Sequence, residues 1–328
     1  MHINTGFAGE FRYDILDSEG NIKTSTDFQK NIILDRGLDS FGGIGSALSS
    51  GSCVVGSGNS APTPGQTTLD SIVDKNSSIL SSTQNFAYTE SGDVYKSSLT
   101  RVFEFRGLGE VNISEVGLTN SYTSSTKEHT LNTRAPIKDV LGNPTTISLL
   151  TGEVLQVHYV IWRVIELKET TGTITLTSNT NADTTYNFVC KPALIGSNDY
   201  NYGTVGKAFT GNMTYYAQSY DGYTGELGDY LNKPSGSVLF SKNRTTYTKY
   251  NLSMHSYVTG SFKRRATLKL ELTEGNSSNL RSIIIPTEMG IWQYRYGKAD
   301  DDSPLVKTPE QEMEFVIEIS WGRYEGEL

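Results

Sequence analysis

The chain has 328 residues, which on a prior of about 150 residues per domain predicts two modules. Its 28 Lys and Arg residues against 36 Asp and Glu residues give a formal net charge of −8. Because the basic residues are scattered, this balance disfavours nucleic-acid binding. The apolar runs span only a few residues, whereas a membrane helix needs about 20, so no membrane insertion is expected. The two cysteines lie far apart and support neither a disulfide framework nor a zinc site.

The N-terminal segment predicts a hairpin followed by a short helix. Phe11–Ile22 is typical of a hairpin whose turn lies at Ser18–Asn21. Thr26–Leu38 is the best helical candidate, because Phe28 and Ile32 lie at helical spacing ahead of a glycine. We expect one or two short helices in the whole chain. No cationic segment with a following apolar core opens the sequence, which predicts synthesis in a cytoplasm.

Alternation of apolar and polar residues with a period of two dominates the rest of the chain. Such alternation places one face of a strand in a core and the other in water. The clearest runs are Arg101–Arg106, Leu155–Ile161, Gly172–Thr177, Ala266–Leu272 and Met313–Ile319. Thr, Val, Ile, Tyr and Phe fill these runs, and Gly, Asn, Asp and Ser separate them. The sequence therefore predicts an all-β fold of antiparallel strands.

Glycine-rich and polar stretches between these runs predict loops. They are Gly42–Gly51, Gly56–Gly65, Asn198–Gly206 and an acidic turn at Ala299–Pro304. The Gly56–Gly65 loop lacks the Gly-Lys-Ser/Thr ending of a phosphate-binding turn. Its prolines and small residues favour a compact surface loop, which is where contacts with neighbours concentrate. Asn59, Pro62 and Pro64 are its candidate contact residues.

Tyrosines crowd the segment from Tyr200 to Tyr230, interleaved with Gly, Asn, Thr and Asp. Tyrosine offers a flat apolar face with a polar tip, which suits stacking on sugars or docking another protein. For an individual ring we favour packing onto its own sheet. For the whole segment we favour a subunit contact over a glycan. The candidate contact residues are Tyr202, Tyr215, Tyr216, Tyr220, Tyr223 and Tyr230.

A weak internal repeat supports two related modules. Ser114–Leu118 recurs as Thr287–Ile291, and Glu153…Trp162 recurs 159 residues later. That second offset opposes apolar residues such as Leu155 to acidic ones, which would turn one strand inside out. An offset of 158 residues aligns the apolar faces but no longer the tryptophans.

The repeat leads to a hypothesis of two β-sandwich-like modules. The first, residues 1–166, contains the N-terminal hairpin and the short helix. The second, residues 167–328, contains the tyrosine-rich excursion and is a candidate for a diverged duplicate. The sequence alone leaves open whether the second half is a true duplicate.

No constellation of catalytic or metal-binding residues emerges from the sequence. The histidines His2, His129, His158 and His255 belong to different segments without metal-ligand spacing. Asp300–Asp302 lacks the alternating spacing of a calcium loop and favours a solvated turn. No Gly-x-Ser-x-Gly elbow occurs, and acids on strands are too common to indicate glycoside cleavage. We therefore predict no catalytic, cofactor-binding or metal residues and no enzymatic activity.

The first half contains a series of short motifs in a fixed order. They are Asn31–Asp39, Val54–Pro62, Gln66–Leu69, Arg101–Phe105, Val111–Leu118, Leu131–Ile137, Asn143–Ile147 and Gly152–Tyr159. In order and spacing, over about residues 30–165, this series resembles the opening of a set of structural proteins of tailed bacteriophages. The resemblance implies a virion component of the tail, baseplate or fibre-attachment region, built as an assembly part without catalytic positions. The second half departs from that set.

The sequence thus predicts a non-enzymatic structural subunit of a phage tail, baseplate or fibre-attachment assembly, within a symmetric ring or trimer. The expected partners are copies of itself and other virion tail proteins, and the expected location is the virion tail after synthesis in the host cytoplasm. One alternative is a receptor-binding adhesin that grips host surface polysaccharide through the tyrosine-rich segment. Others are a capsid decoration or head–tail joining protein, and a depolymerase enzyme.

Overall fold

A computed structural model of the chain describes residues 2–42, 51–88, 94–123, 128–166, 168–176, 183–193, 216–221, 247–274, 276, 279–287 and 290–328. The strands of the first half are β1 (His2–Leu16), β2 (Ile22–Ser25), β3 (Gln29–Ile33), β4 (Ser52–Gly56), β5 (Ile72–Asn76), β6 (Ile79–Tyr88), β7 (Val94–Phe105), β8 (Val111–Ile113), β9 (Glu115–Thr123), β10 (Glu128–Pro136), β11 (Ile147–Leu149) and β12 (Val154–Glu166). Helix α1 (Asp35–Asp39) and a 3-10 turn (Ser40–Gly42) follow β3.

The strands of the second half are β13 (Thr170–Leu176), β14 (Thr184–Ala193), β15 (Tyr216–Asp221), β16 (Tyr247–Met254), β17 (Lys263–Leu270), β18 (Asn279–Thr287), β19 (Gly290–Lys298), β20 (Leu305–Val306) and β21 (Met313–Arg323). The predicted all-β class is confirmed, and the five alternating runs of the sequence fall in β7, β12, β13, β17 and β21. The N-terminal hairpin is also confirmed, with its turn between β1 and β2.

Three large sheets organise the fold, and β8 and β11 form a separate two-stranded sheet. The long sheet has the order β6–β7–β12–β1–β21–β17–β16. The first covering sheet has the order β5–β4–β9–β10–β3, and the second covering sheet has the order β13–β14–β19–β18–β15. Strand β3 also pairs with β1, and β16 also pairs with β15, so each covering sheet joins the long sheet at one corner.

Both covering sheets lie on the same face of the long sheet. Residues opposite one another in a sheet share a face, and the register places Phe11 opposite Tyr159. The Tyr159 hydroxyl lies 2.5 Å from Oγ1 of Thr133 in the first covering sheet. The same face continues through β21, where the Phe315 ring lies 5.8 Å from Tyr296 of the second covering sheet. One continuous apolar core therefore runs beneath both layers.

Strand β1 joins the two halves of the long sheet. It pairs antiparallel with β12 on one side and parallel with β21 on the other. This parallel ladder is an exception to the predicted antiparallel pairing, which the other ladders between described strands follow. Two parallel strands need a long connection rather than a tight turn. Here the parallel pair is formed by strands from opposite ends of the chain.

The strands on either side of β1 have corresponding orders. Strands β6, β7 and β12 approach β1 from one side, and β16, β17 and β21 approach it from the other. Leu155 to Ile161 and Met313 to Ile319 place their alternate apolar residues in the core, which agrees with the 158-residue offset. The module boundary at residues 166 and 167 stays a prediction, and β1 pairs with strands from both sides of it.

The predicted helix over Thr26–Leu38 is largely wrong. Residues Gln29–Ile33 form β3, and the helix begins only at Asp35, so Gly37 lies inside it. The reason is tertiary, because β3 bridges β1 and β10 and is held at the corner between two sheets. Such pairing overrides the helical spacing of two apolar residues.

Helix α1 contacts the second half through polar bonds. The carboxylate of Asp39 is buried and accepts hydrogen bonds from the Tyr257 hydroxyl at 2.6 Å and the Gly260 amide at 2.8 Å. The indole of Trp321 donates to the Leu38 carbonyl at 2.8 Å and stacks on Tyr257 with ring centroids 5.6 Å apart. These bonds fix the connection between β16 and β17 against the helix.

Candidate interface loop

The strongest candidate site is the loop between β4 and β5, which has no regular secondary structure over residues 57–71. It contains the three residues predicted from sequence as contacts. Asn59 and Pro64 are exposed, and Pro62 is half-buried. The loop therefore presents its predicted contact residues at the surface, while nothing in the described residues tests their role in a contact.

One buried carboxylate holds both ends of this loop. Glu115, at the start of β9, is fully buried. Its Oε1 accepts hydrogen bonds from the amides of Gly58 at 2.9 Å and Ser71 at 3.0 Å, and its Oε2 accepts one from the Asp70 amide at 3.3 Å. A side chain of the covering sheet thus binds the backbone where the loop begins and where it returns.

Arg134 on β10 completes the anchor. Its Nε donates to Glu115 Oε2 at 2.9 Å, and its side chain is 1% exposed. Its Nη1 donates to the Ser60 hydroxyl at 3.0 Å and to Gln66 Oε1 at 2.9 Å, and its Nη2 lies 2.9 Å from Asp70 Oδ2. The guanidinium therefore bridges one strand and three loop residues with its planar set of donors.

The one acidic residue of the loop, Asp70, is held by the same network. Asp70 accepts hydrogen bonds from the Ser60 amide and hydroxyl, each at 2.8 Å. Burial acts to raise the pKa of Asp70, but the bonds from Ser60 and the charge of Arg134 outweigh it and lower that pKa. Asp70 therefore stays ionised at neutral pH and keeps its attraction to the guanidinium.

Glycine at position 58 is a packing requirement of this anchor. A Cβ atom there would lie 2.3 Å from the Cβ of Asp70 and 2.4 Å from Glu115 Oε1. The Gly58 carbonyl also accepts a bond from the Ser114 hydroxyl at 2.7 Å. Close approach of the backbone to a buried carboxylate explains why no side chain is present.

The geometry gives the loop a fixed shape. A loop held by buried charge-assisted bonds loses little further freedom on binding, which lowers the entropic cost of association. This arrangement suits the loop to act as a rigid surface for a binding partner. It contains buried charges that are already paired, so it is suited to binding rather than to proton transfer.

The sequence missed the two central residues of this site. Glu115 and Arg134 lie on neighbouring strands, where the register pairs Arg134 with Gly117 and Glu115 with Pro136. The available signal was a pair of opposite charges embedded in apolar strand segments, but their pairing depends on the register of β9 and β10. That register is a tertiary property.

The tyrosine-rich candidates fall mostly outside the described residues. These are Tyr202, Tyr215, Tyr223 and Tyr230. The backbone of Tyr216 and Tyr220 is described within β15, where the register pairs them with Asn251 and Tyr247 of β16. Their role as a contact surface stays a prediction.

A second polar cluster lies on the outer face of the long sheet. His158 Nε2 lies 2.8 Å from Asp14 Oδ2, and its Nδ1 lies 3.4 Å from Arg12 Nη2. Asp14 is buried and also accepts a bond from the Ser25 hydroxyl at 2.6 Å. Burial lowers the pKa of His158 and the charge of Arg12 lowers it further, while Asp14 opposes both. His158 is therefore a half-buried member of its strand whose pKa lies below the ordinary histidine value.

The acidic turn predicted at Ala299–Pro304 is a turn in the structure. Asp302 forms a two-point contact with Arg295, including an Nη1 to Oδ1 bond of 2.7 Å. Asp301 accepts a bond from the Ser303 amide at 3.0 Å. Its carboxylates thus stabilise the turn and the adjacent strand β19.

Comparison with known proteins gives no match: no family model, no curated protein and no solved structure matches the chain. Within the described residues, no helix is long and apolar enough to cross a membrane.

Proposed function

We propose that the protein is a non-enzymatic structural subunit of a bacteriophage tail, baseplate or fibre-attachment assembly. The observation that supports it most strongly is the loop of residues 57–71, which is exposed at Asn59 and Pro64 and fixed from beneath by the buried Glu115 and Arg134. Rigid pleated layers with preformed loops suit repeated contacts between subunits, because little order has to be gained on assembly. The resemblance of the first half to tailed-phage structural proteins supports a virion as the location of such an assembly.

The partners of this function are copies of the chain and other tail proteins. Stable contacts of this kind bury about 1,200–2,000 Å² in total. The acidic balance of the chain supports protein partners over a phosphate backbone. The proposed location is the virion tail after assembly from subunits made in the host cytoplasm.

Labelling of purified particles tests the location. A tagged copy is supplied during phage growth, and particles are labelled with gold against the tag. Gold on the tail or baseplate is expected. Gold on the capsid or at the head–tail joint would instead assign a decoration or joining role, and particles without the chain would contradict a virion function.

A pair of lysine substitutions tests the loop. Asn59→Lys adds charge and bulk to the anchored loop, and Ser18→Lys makes the same change in the exposed turn between β1 and β2. Asn59→Lys is expected to reduce incorporation into particles, while both variants keep the wild-type melting temperature. Equal incorporation of both would contradict a contact at this loop.

Two further assays separate the alternatives. Binding of purified protein to host polysaccharide, lost in Tyr216→Ala and Tyr220→Ala while particles still assemble, would favour the adhesin. Digestion of the polysaccharide by the purified chain would contradict a non-enzymatic role.

A further inference from the structure

Strand β13 lies at one edge of the second covering sheet. All seven of its residues, Thr170–Leu176, pair with β14 in one unbroken antiparallel register. Among the described strands β14 is its one neighbour, so the backbone amides and carbonyls along its outer edge are left for a further strand. An extended segment can bind such an edge by continuing the ladder of main-chain hydrogen bonds.

The outer edge of β13 lacks the features by which proteins usually prevent such pairing. Its sequence, Thr-Thr-Gly-Thr-Ile-Thr-Leu, contains no charged residue and no proline. The edge strand β5, by contrast, carries Asp74 and Lys75 and has a register shift against β4. The edge strand β2 has four residues, carries Lys23 and has a register shift against β1. Of these three edges, β13 is the one that is open to another strand.

The two faces of β13 fix how a second strand would align with it. Ile174 and Leu176 are half-buried and pack against the core, whereas the threonines at the odd positions from 171 to 175 are exposed. This alternation distinguishes β13 from β6, the uncharged edge strand of the long sheet, which is exposed at every position from 79 to 83. A strand with one apolar face has a specified register, and a strand exposed on both faces does not.

The strand of this chain that fits the edge is β13 itself. In an antiparallel pair centred on residue 173 or 174, even positions lie opposite even positions and odd positions opposite odd ones, so each face meets its own kind. Ile174 and Leu176 of the two copies then continue one apolar face, and threonines meet threonines on the other. Strands β5 and β2 would bring charges for which β13 has no counter-charge, and β6 would bring no matching face.

We propose that β13 is a contact between two copies of this chain, formed by antiparallel pairing of the two β13 strands. The contact is separate from the loop of residues 57–71, and it rests on the proposed function in that its partner is a copy of the chain. Both copies use the same edge, so the contact is isologous and the pair leaves no free β13 edge. An edge that is covered in this way needs no charge or proline to stop further pairing.

Lysines on the exposed face of β13 test the pairing. Thr173→Lys with Thr175→Lys places like charges opposite one another in either register, because position 173 meets 173 in one and 175 in the other. Sedimentation velocity over a range of concentrations is expected to show a wild-type dimer and on the order of tenfold or more weaker association of the double variant. Ser81→Lys with Thr83→Lys makes the matched change on β6 and is expected to associate like the wild type.

Three results would overturn this contact. They are a monomeric wild-type chain, normal association of the double lysine variant of β13, and loss of association in the β6 control alone.

A charge swap tests whether β13 meets β13. Thr173→Glu with Thr175→Glu is expected to weaken association as the lysine pair does. An equimolar mixture of the two double variants is expected to recover association, because opposite charges then face one another. Each variant loses one exposed bond, between the Thr175 and Thr185 hydroxyls at 3.2 Å, so the wild-type melting temperature is expected. Absence of recovery in the mixture would contradict pairing of the strand with itself.

The contact and the tail function fail in different ways. A monomeric chain that is still found on virion tails would remove the β13 contact and leave the tail function. A chain that dimerises, loses the dimer in the lysine variant and recovers it in the mixture, but is absent from particles, would retain the contact and remove the virion role.

Discussion

Arg134 Nε lies 2.9 Å from Glu115 Oε2, in a pair whose side chains are 1% and 0% exposed. Both residues belong to the first covering sheet, yet most of their remaining bonds go to the loop of residues 57–71. The stability of the candidate interface is therefore linked to the interior of the protein.

Removing the cation of this pair should destabilise the protein strongly. Arg134→Met leaves the Glu115 carboxylate buried without its partner, which costs about 3–5 kcal/mol of the free energy of unfolding. Urea unfolding measures the loss. Lys269→Met breaks an exposed pair with Glu271 and is the control, with no resolvable change expected. A small loss for Arg134→Met would mean that Glu115 is compensated by its backbone donors alone.

Alanine at position 58 should disturb the loop, whereas alanine at position 65 should not. The new Cβ at 58 would meet Asp70 and Glu115 at less than van der Waals distance, but at 65 the nearest atom is Asp35 Oδ2 at 4.0 Å. Gly58→Ala should lower the melting temperature and increase amide hydrogen exchange in residues 57–71. Gly65→Ala should leave both unchanged or slightly improved. Identical behaviour of the two variants would contradict the packing at Gly58.

Loss of the Asp39 carboxylate should loosen the contact between helix α1 and the β16–β17 connection. Asp39→Ala removes the shared acceptor of the amide of Gly260, an exposed residue, and of the half-buried Tyr257 hydroxyl, at a cost of about 1 kcal/mol per hydrogen bond. Tyr257→Phe should cost less, since the Asp39 carboxylate keeps the Gly260 amide as a donor, although the Phe262 amide loses its acceptor. The nearby Trp321 should report the loosening through its fluorescence. Unchanged stability of Asp39→Ala would contradict the role of these bonds.

His158 should make stability depend on pH in the weakly acidic range. Burial and Arg12 lower the pKa of His158 in the folded chain, so the unfolded chain binds the proton more tightly. Its contribution is complete above the ordinary histidine pKa of about 6.5 and is lost as pH falls through the folded pKa. Melting temperatures from pH 7.5 to 5 should therefore fall more steeply for the wild type than for His158→Gln. A steeper fall for the variant would mean that Asp14 dominates.

Local patterns predicted the strands well because alternation depends only on neighbouring residues. Leu155–Ile161 and Met313–Ile319 place their alternate apolar residues, those at odd positions, inward as expected. The segment Gln29–Ile33 was misassigned because its state depends on β1 and β10, which lie far away in sequence.

The candidate site was predictable only in part. The glycines, prolines and small residues of Gly56–Gly65 identified the loop as a surface element. Its anchor could not be predicted, because Gly58, Glu115 and Arg134 meet only after the strands have paired.

The parallel ladder between β1 and β21 has a consequence for synthesis. Because His2 pairs with Glu318, one edge of β1 leaves the ribosome roughly 15 to 60 s before its partner, at translation rates of about 5–20 residues per second. During that interval the nascent chain exposes an unsatisfied strand edge, which is a template for pairing with other chains. The ladder between β1 and β21, at the centre of the long sheet, therefore forms last. We expect folding to depend on chaperones, or aggregation to increase when expression is faster.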